Sequence, residues 1–262
     1  MYKDYRMTYD IHTHTLYSRG RFKKHAVGTM EENVRAALEK GLDAVGISDH
    51  GPGHVFYGLE REKIPEMKAE IQRLREAYPQ IKIYFSVESN ITESGKGLDV
   101  SPAEAKEFDF LLAGYHFGTG NAHCLPNWMI SHKLGGRIDT ARMVNTDMII
   151  HALKQNDIKV LTHPGEKALV FIEEIAKVCA ETDTIMEIST WHPHMTVREI
   201  EIAKKEDVRF IISSDAHAPQ RVGTFEGGIK RAEEAGLEMD RIVNIEKPFH
   251  TLPFASLSII HL

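Results

Sequence analysis

The feature that most restricts this chain is a regular alternation of two kinds of segment. Short runs rich in β-branched, aromatic and aliphatic residues lie at 8–13, 43–48, 81–87, 108–115, 158–162, 184–189 and 208–213. Longer stretches between them space their apolar residues with helical periodicity. A strand that feeds a helix returns to the sheet beside itself through a right-handed crossover, so this order predicts a parallel sheet with helices outside it. Seven such units predict an α/β fold, a distorted (βα)7 TIM-like barrel that is closed or nearly closed, with an open doubly wound sheet as the alternative. Helix starts are marked locally. Thr29 and Glu32 form a capping-box pattern ahead of Val34, Ala37 and Leu38, with Gly41 as the stop, and Thr196 with Glu199 repeats the device.

In a parallel barrel the chemistry sits at the carboxyl ends of the strands. The first such end is "MTYDIHTHTLYS", residues 7–18, where His12 and His14 lie two apart. On extended chain the two rings share a face about 7 Å apart, within reach of one ion. The chain has 15 histidines, and a second pair, His192 and His194, straddles Pro193, so one His-x-His carries little weight alone. The other strand ends decide the matter. The second ends in Asp49 and His50, the third in Glu88, the fourth in His116, the fifth in His163 and the seventh in Asp215 and His217. One such residue is more often a cap or a surface group. The same end of nearly every strand carrying one points to a multinuclear metal centre. Two connections, 51–62 and 117–138, exceed ordinary βα-loop length and are candidate lids.

Composition excludes several function classes. The net charge of −6 argues against stable nucleic-acid binding, although Arg19, Arg21, Lys23 and Lys24 make one local basic run. No apolar run approaches a membrane span and no signal-peptide pattern precedes the first strand, so a cytoplasmic protein without a membrane partner is expected. Cys124 and Cys179 have neither metal-pair spacing nor disulfide density and are expected as free thiols. No Gly-x-Ser-x-Gly elbow and no Walker loop is present.

Seven motifs in order, "DIHTHT", "AVGISDHGPGH", "SVESNI", "LLAGYH", "LTHPG", "MEIS" and "SSDAH", resemble those of the PHP (polymerase and histidinol phosphatase) metal-dependent phosphoesterases, nearest the YcdX-like bacterial phosphatase branch. The resemblance spans roughly residues 8–245 and implies one PHP domain over 1–262. It implies a distorted (βα)7 barrel with three divalent ions. One would be held by His12, His14, Glu88 and Asp215, and a second by His116 and His163 with Glu88 bridging. The third would be held by His25, His50 and His217. The chain departs from the branch in "RGRFKK", which lengthens the loop before His25, and in an atypical apolar tail at 246–262. That tail is expected to pack on the barrel or on another subunit of a homo-oligomer.

Such nitrogen-rich ligation suits zinc, manganese or iron better than calcium or magnesium. The expected reaction is hydrolysis of the phosphate monoester of a small metabolite by metal-activated hydroxide. Arg21 and Arg221 are the candidate substrate-binding residues. Glu187 is expected to point into the barrel near the metals, and Asp49 either orients His50 or caps the next segment. His192 and His194 line the pocket or form a surface turn. His54, His123, His132 and His151 are not expected as ligands. The alternatives are a phosphodiesterase or exonuclease on the same fold, a non-catalytic metal-binding regulatory module, and an amidohydrolase.

Overall fold

The computed structural model describes residues 4–18, 20, 24–93, 95–120 and 122–247. Seven parallel strands follow one another around the sheet in chain order: β1 (Tyr9–Asp10), β2 (Ala44–Ile47), β3 (Lys82–Asn90), β4 (Phe110–Gly114), β5 (Ile158–Leu161), β6 (Ile185–Ser189) and β7 (Phe210–Ser213). The helices that cover them are α1 (Met30–Glu39), α2 (Ile64–Ala77), α3 (Cys124–Ser131), α4 (Ile138–Gln155), α5 (Ile172–Glu181), α6 (Val197–Ala203) and α7 (Glu226–Glu234). Both predicted capping boxes form, with the Thr29 and Thr196 hydroxyls accepting from the N–H of Glu32 and Glu199 and each glutamate accepting back from the cap N–H.

The seam between β1 and β7 shows how far the barrel closes. At the carboxyl end a parallel bridge joins Thr13 to Ala216, and the His14 N–H donates to the Ala216 carbonyl at 2.8 Å. At the amino end the two strands do not pair directly. The Asn244 amide donates to the carbonyls of Tyr9 (2.8 Å) and Ile212 (2.6 Å), and its Oδ1 accepts the Ile212 N–H (3.1 Å). One side chain thus supplies the hydrogen bonds a ladder would have made. This seam makes a nearly closed, distorted (βα)7 barrel and excludes the open doubly wound sheet.

Element bounds depart from the sequence expectation where side chains compete for backbone groups. β1 stops at Asp10, and beyond it side chains take the ladder's groups: the Thr13 N–H donates to Ser48 Oγ at 3.0 Å and the Thr13 hydroxyl donates to the Gly46 carbonyl at 2.7 Å. β3 runs on to Asn90, whose N–H donates to Asp99, and the connection 117–138 contains α3 as well as loop. The helices bury one face against the outside of the sheet. Inside the barrel, Ile11, Leu112, Val160, Ile185 and Ile211 form a separate apolar plug, bordered by Tyr84 and Phe110. Fully burying each aliphatic side chain contributes about 1.5–3 kcal/mol. Among the described residues no helix is long and apolar enough to cross a membrane. Arg21 and the tail from 248 onward lie outside the described residues.

Candidate metal centre

Above the plug the lumen turns polar, and Glu88 stands at its middle with no solvent exposure. Its Oε1 accepts the Thr162 hydroxyl at 2.6 Å and lies 2.9 Å from His163 Nε2 and 3.5 Å from His116 Nε2. Its Oε2 lies 2.9 Å from His50 Nδ1, 3.4 Å from His12 Nε2 and 3.7 Å from His14 Nε2. Gly114 makes room for this carboxylate, since a Cβ there would stand 2.3 Å from Thr162 Oγ1 and 2.9 Å from Glu88 Oε1.

All nine residues that the strand ends and motifs single out converge here. His14 Nε2 is 3.1 Å from both His12 Nε2 and Asp215 Oδ1. His25 Nε2 is 2.9 Å from both His50 Nε2 and His217 Nε2. Ligand atoms around a tetrahedral zinc, about 2.0–2.1 Å from the metal, lie about 3.3 Å apart, so contacts of this size fit a shared cation. Three side chains are preset for it. Oxygen atoms face Nδ1 of His12 (Glu187 Oε1, 2.6 Å), His116 (Asn90 Oδ1, 2.8 Å) and His217 (Asp215 carbonyl, 2.9 Å), which leaves each Nε2 for the cleft, whereas His50 turns Nδ1 to the central Glu88 and Nε2 to His25. Behind His116, Asp99 accepts the Asn90 amide and backbone N–H and fixes that partner in turn.

The electrostatics agree with neutral imidazoles around ionised acids. Burial, and then His217, pushes His14 and His25 down to about 3. Burial favours protonated carboxyls, but His116 and His12 outweigh it at Glu88, as His12 and His14 do at Asp215, and both acids fall well below the usual range. His12 differs: burial opposes its charge, yet Glu187, Glu88 and Asp215 raise it well above the ordinary imidazole value. His163 and Asp215 adopt the left-handed backbone, at φ 28° and 49°, a strain that side chains tolerate where the surroundings hold them.

The other sequence candidates separate cleanly. Glu187 is fully buried, and besides His12 it accepts the His163 N–H at 2.8 Å. Asp49 accepts the N–H and hydroxyl of Thr15 and so shapes the turn after His14. Arg221 lies with its guanidinium 3.9 Å over the Trp191 ring, beside His217, and its Nε is buried with no hydrogen-bond partner. His54 is buried in the first long connection, where Nδ1 accepts the N–H groups of Phe56 and Tyr57; Tyr57 stacks on both His54 and His25. His132 stacks on Trp128 and His151 faces the Gly95 carbonyl, both outside the cluster. His192 is inside it, within ligand reach of His163 and Asp215, and Glu166 stands behind it. The local signals for His192 were its pairing with His194 and its place three residues past β6, and Glu166 gave none.

Fold and site together define a barrel enzyme scaffold whose strand ends carry buried histidine and carboxylate groups able to hold metal. The PHP domain profile matches residues 10–191, and the chain belongs to the PHP domain family. Its sequence is 27% identical over 255 residues to a protein of Thermoanaerobacter sp. (strain X514) named "probable phosphatase", covering 92% of this chain and 91% of that one. It is 28% identical over 249 residues to a "probable phosphatase" of Proteus mirabilis, covering 90% and 89%. Its fold is similar to that of histidinol phosphate phosphatase from Lactococcus lactis, a crystal structure complexed with zinc, L-histidinol and phosphate. The TM-score is 0.59 at 14% identity, over 88% of this chain and 95% of that one.

Proposed function

We propose that this protein hydrolyses the phosphate monoester of a small metabolite, using three divalent transition-metal ions held at the carboxyl end of the barrel. The coarser statement, a metal-dependent hydrolase of phosphoric esters, rests on the family and on relatives named phosphatases. The observation that carries the finer reading is the set of three imidazoles, His12, His116 and His217, whose Nδ1 atoms already face oxygen, while Nε2 of His12 and His116 turns to Glu88 and that of His217 to His25. On this reading His12, His14, Glu88 and Asp215 hold one ion, Glu88, His116 and His163 a second, and His25, His50 and His217 a third. When bound, zinc, manganese or iron would supply charge for the phosphoryl oxygens and acidify a water so that hydroxide forms near neutral pH.

The chain's own groups do the rest. Glu88 faces His116 and His163 with Oε1 and His12, His14 and His50 with Oε2, Glu187 fixes the tautomer of His12, and Arg221 at the rim receives the substrate's negative charge. Arg21 is assigned the same part on the sequence alone. We take residues 1–262 as one domain. A cytoplasmic site belongs to this reading and is supported by the free thiols of Cys124 and Cys179. The acidic net charge favours a small anionic substrate guided by a local basic rim over a nucleic acid, so the phosphodiesterase reading ranks second.

Elemental analysis of metal-replete protein should find about three ions per chain, and chelation should abolish turnover of phosphomonoesters until metal is restored. Full activity in chelated, metal-free protein would refute the proposal. Faster turnover of diesters than of monoesters across a panel would move the reading to the alternative.

A further inference from the structure

His192 is the one member of the buried cluster that neither the strand-end pattern nor the family resemblance assigns to metal. It is clamped on both sides. The Ser189 hydroxyl accepts the N–H groups of Trp191 (3.2 Å) and His192 (3.3 Å), and the Arg231 guanidinium donates to the Ser189 carbonyl. Past Pro193, His194 Nδ1 lies 3.0 Å from both oxygens of Glu199, the capping glutamate of α6. The His192 ring then stands between two carboxylates. Its Nε2 is 3.1 Å from Asp215 Oδ2 and its Nδ1 is 3.2 Å from Glu166 Oε1, which also accepts Lys167 Nζ at 2.8 Å.

The two oxygens of Asp215 are therefore divided. Oδ2 faces His192, whereas Oδ1 faces His14 Nε2 at 3.1 Å and His12 Nε2 at 3.5 Å. A carboxylate with both oxygens free can turn or chelate, and one tied at a single oxygen offers the other in one direction. We propose that His192, braced by Glu166, is a positioning residue that holds Asp215 Oδ2 and so presents Oδ1 alone to the space shared with His12 and His14. The proposal rests on the metal-centre reading above and adds what sets the affinity of one of its ions. Direct ligation by His192 is the competing role, since the ring also lies 4.9 Å from that of His163.

The test is a zinc titration of the metal-free full chain in competition with a chromophoric chelator, using wild type, His192→Ala, His192→Gln and Glu166→Gln. The glutamine amide nitrogen reaches about as far as imidazole Nε2 and can still donate to Oδ2. We expect His192→Ala to weaken the binding of one ion by about 10–100-fold, the range for a group that orients a metal ligand. His192→Gln should recover most of the loss, Glu166→Gln should show a smaller one, and all metal-free variants should melt with wild type. If wild type binds zinc and His192→Ala binds every ion equally well, the inference fails while the metal centre stands. If His192→Gln is as weak as His192→Ala, the ring is itself a ligand and the positioning role is wrong. A large fall in metal-free melting temperature would make the role structural. A wild type that binds no zinc removes the centre and the inference together.

Discussion

At the amino-terminal end of the lumen the inward positions are Leu112, Val160, Ile185 and Ile211; two residues further along the same strands they are Gly114, Thr162, Glu187 and Ser213. Another two residues on, His116 and Asp215 enter the cluster. The change from oil to candidate ligand occurs within four residues, about 13 Å of chain. The two layers are held by different physics. The plug needs only shape and burial, because apolar side chains leave nothing to satisfy. Each buried polar group of the cleft requires a partner, and the partners come from distant strands: Thr162 for Glu88, Glu187 for His12, Asn90 for His116. A fault in the plug should cost stability and leave the chemistry, and a fault in the cleft should do the reverse.

The largest expected effect tests the cleft. Glu88→Gln keeps the shape but removes the charge facing five imidazoles, so metal content should fall by at least one ion and kcat/KM for a phosphomonoester by more than about 100-fold. Circular dichroism should still report a folded barrel. A variant with wild-type metal content and turnover would show that this carboxylate is not central to the site.

Leu112→Ala breaks the other layer. Leu112 is fully buried in the plug, and its truncation should destabilise the metal-free protein by about 2–5 kcal/mol in urea unfolding. Metal bound per folded molecule should stay the same. Loss of metal from the folded variant would mean that the two layers are coupled and the comparison is drawn too sharply.

The smallest effect concerns the rim. Arg221 stacks on Trp191 beside His217, so Arg221→Gln should raise KM several-fold at low salt, with a smaller change at high salt where the field is screened. Metal content and unfolding midpoint should match wild type. Unchanged kinetics at every ionic strength would place Arg221 outside substrate binding.

Much of this molecule was readable residue by residue. Alternating strand and helix periods predict the parallel barrel, and the capping boxes at Thr29 and Thr196 form where the local pattern puts them. Eight of the nine residues are brought together because parallel strands in sequential order all deliver their carboxyl ends to one side, and His25 joins them from the connection between β1 and α1. Strand bounds were less accessible. Past Asp10 the Thr13 N–H and hydroxyl turn to Ser48 and Gly46, 35 and 33 positions away, and no local window contains that competition.

What the sequence determines by itself is therefore what local periodicity and residue type carry: the element order, the face each strand presents, and the concentration of imidazoles and carboxylates at one end. The tertiary structure decides pairings that no spacing encodes. It sets Glu187 against His12, 175 positions apart, places Asn244 in the seam between β1 and β7, and folds the loop after β6 back so that His192 meets Asp215 and Glu166. The reason is physical. A hydrogen-bond partner for a buried group is chosen by which side chain the closed barrel brings within about 3 Å, and closure is a property of the whole chain.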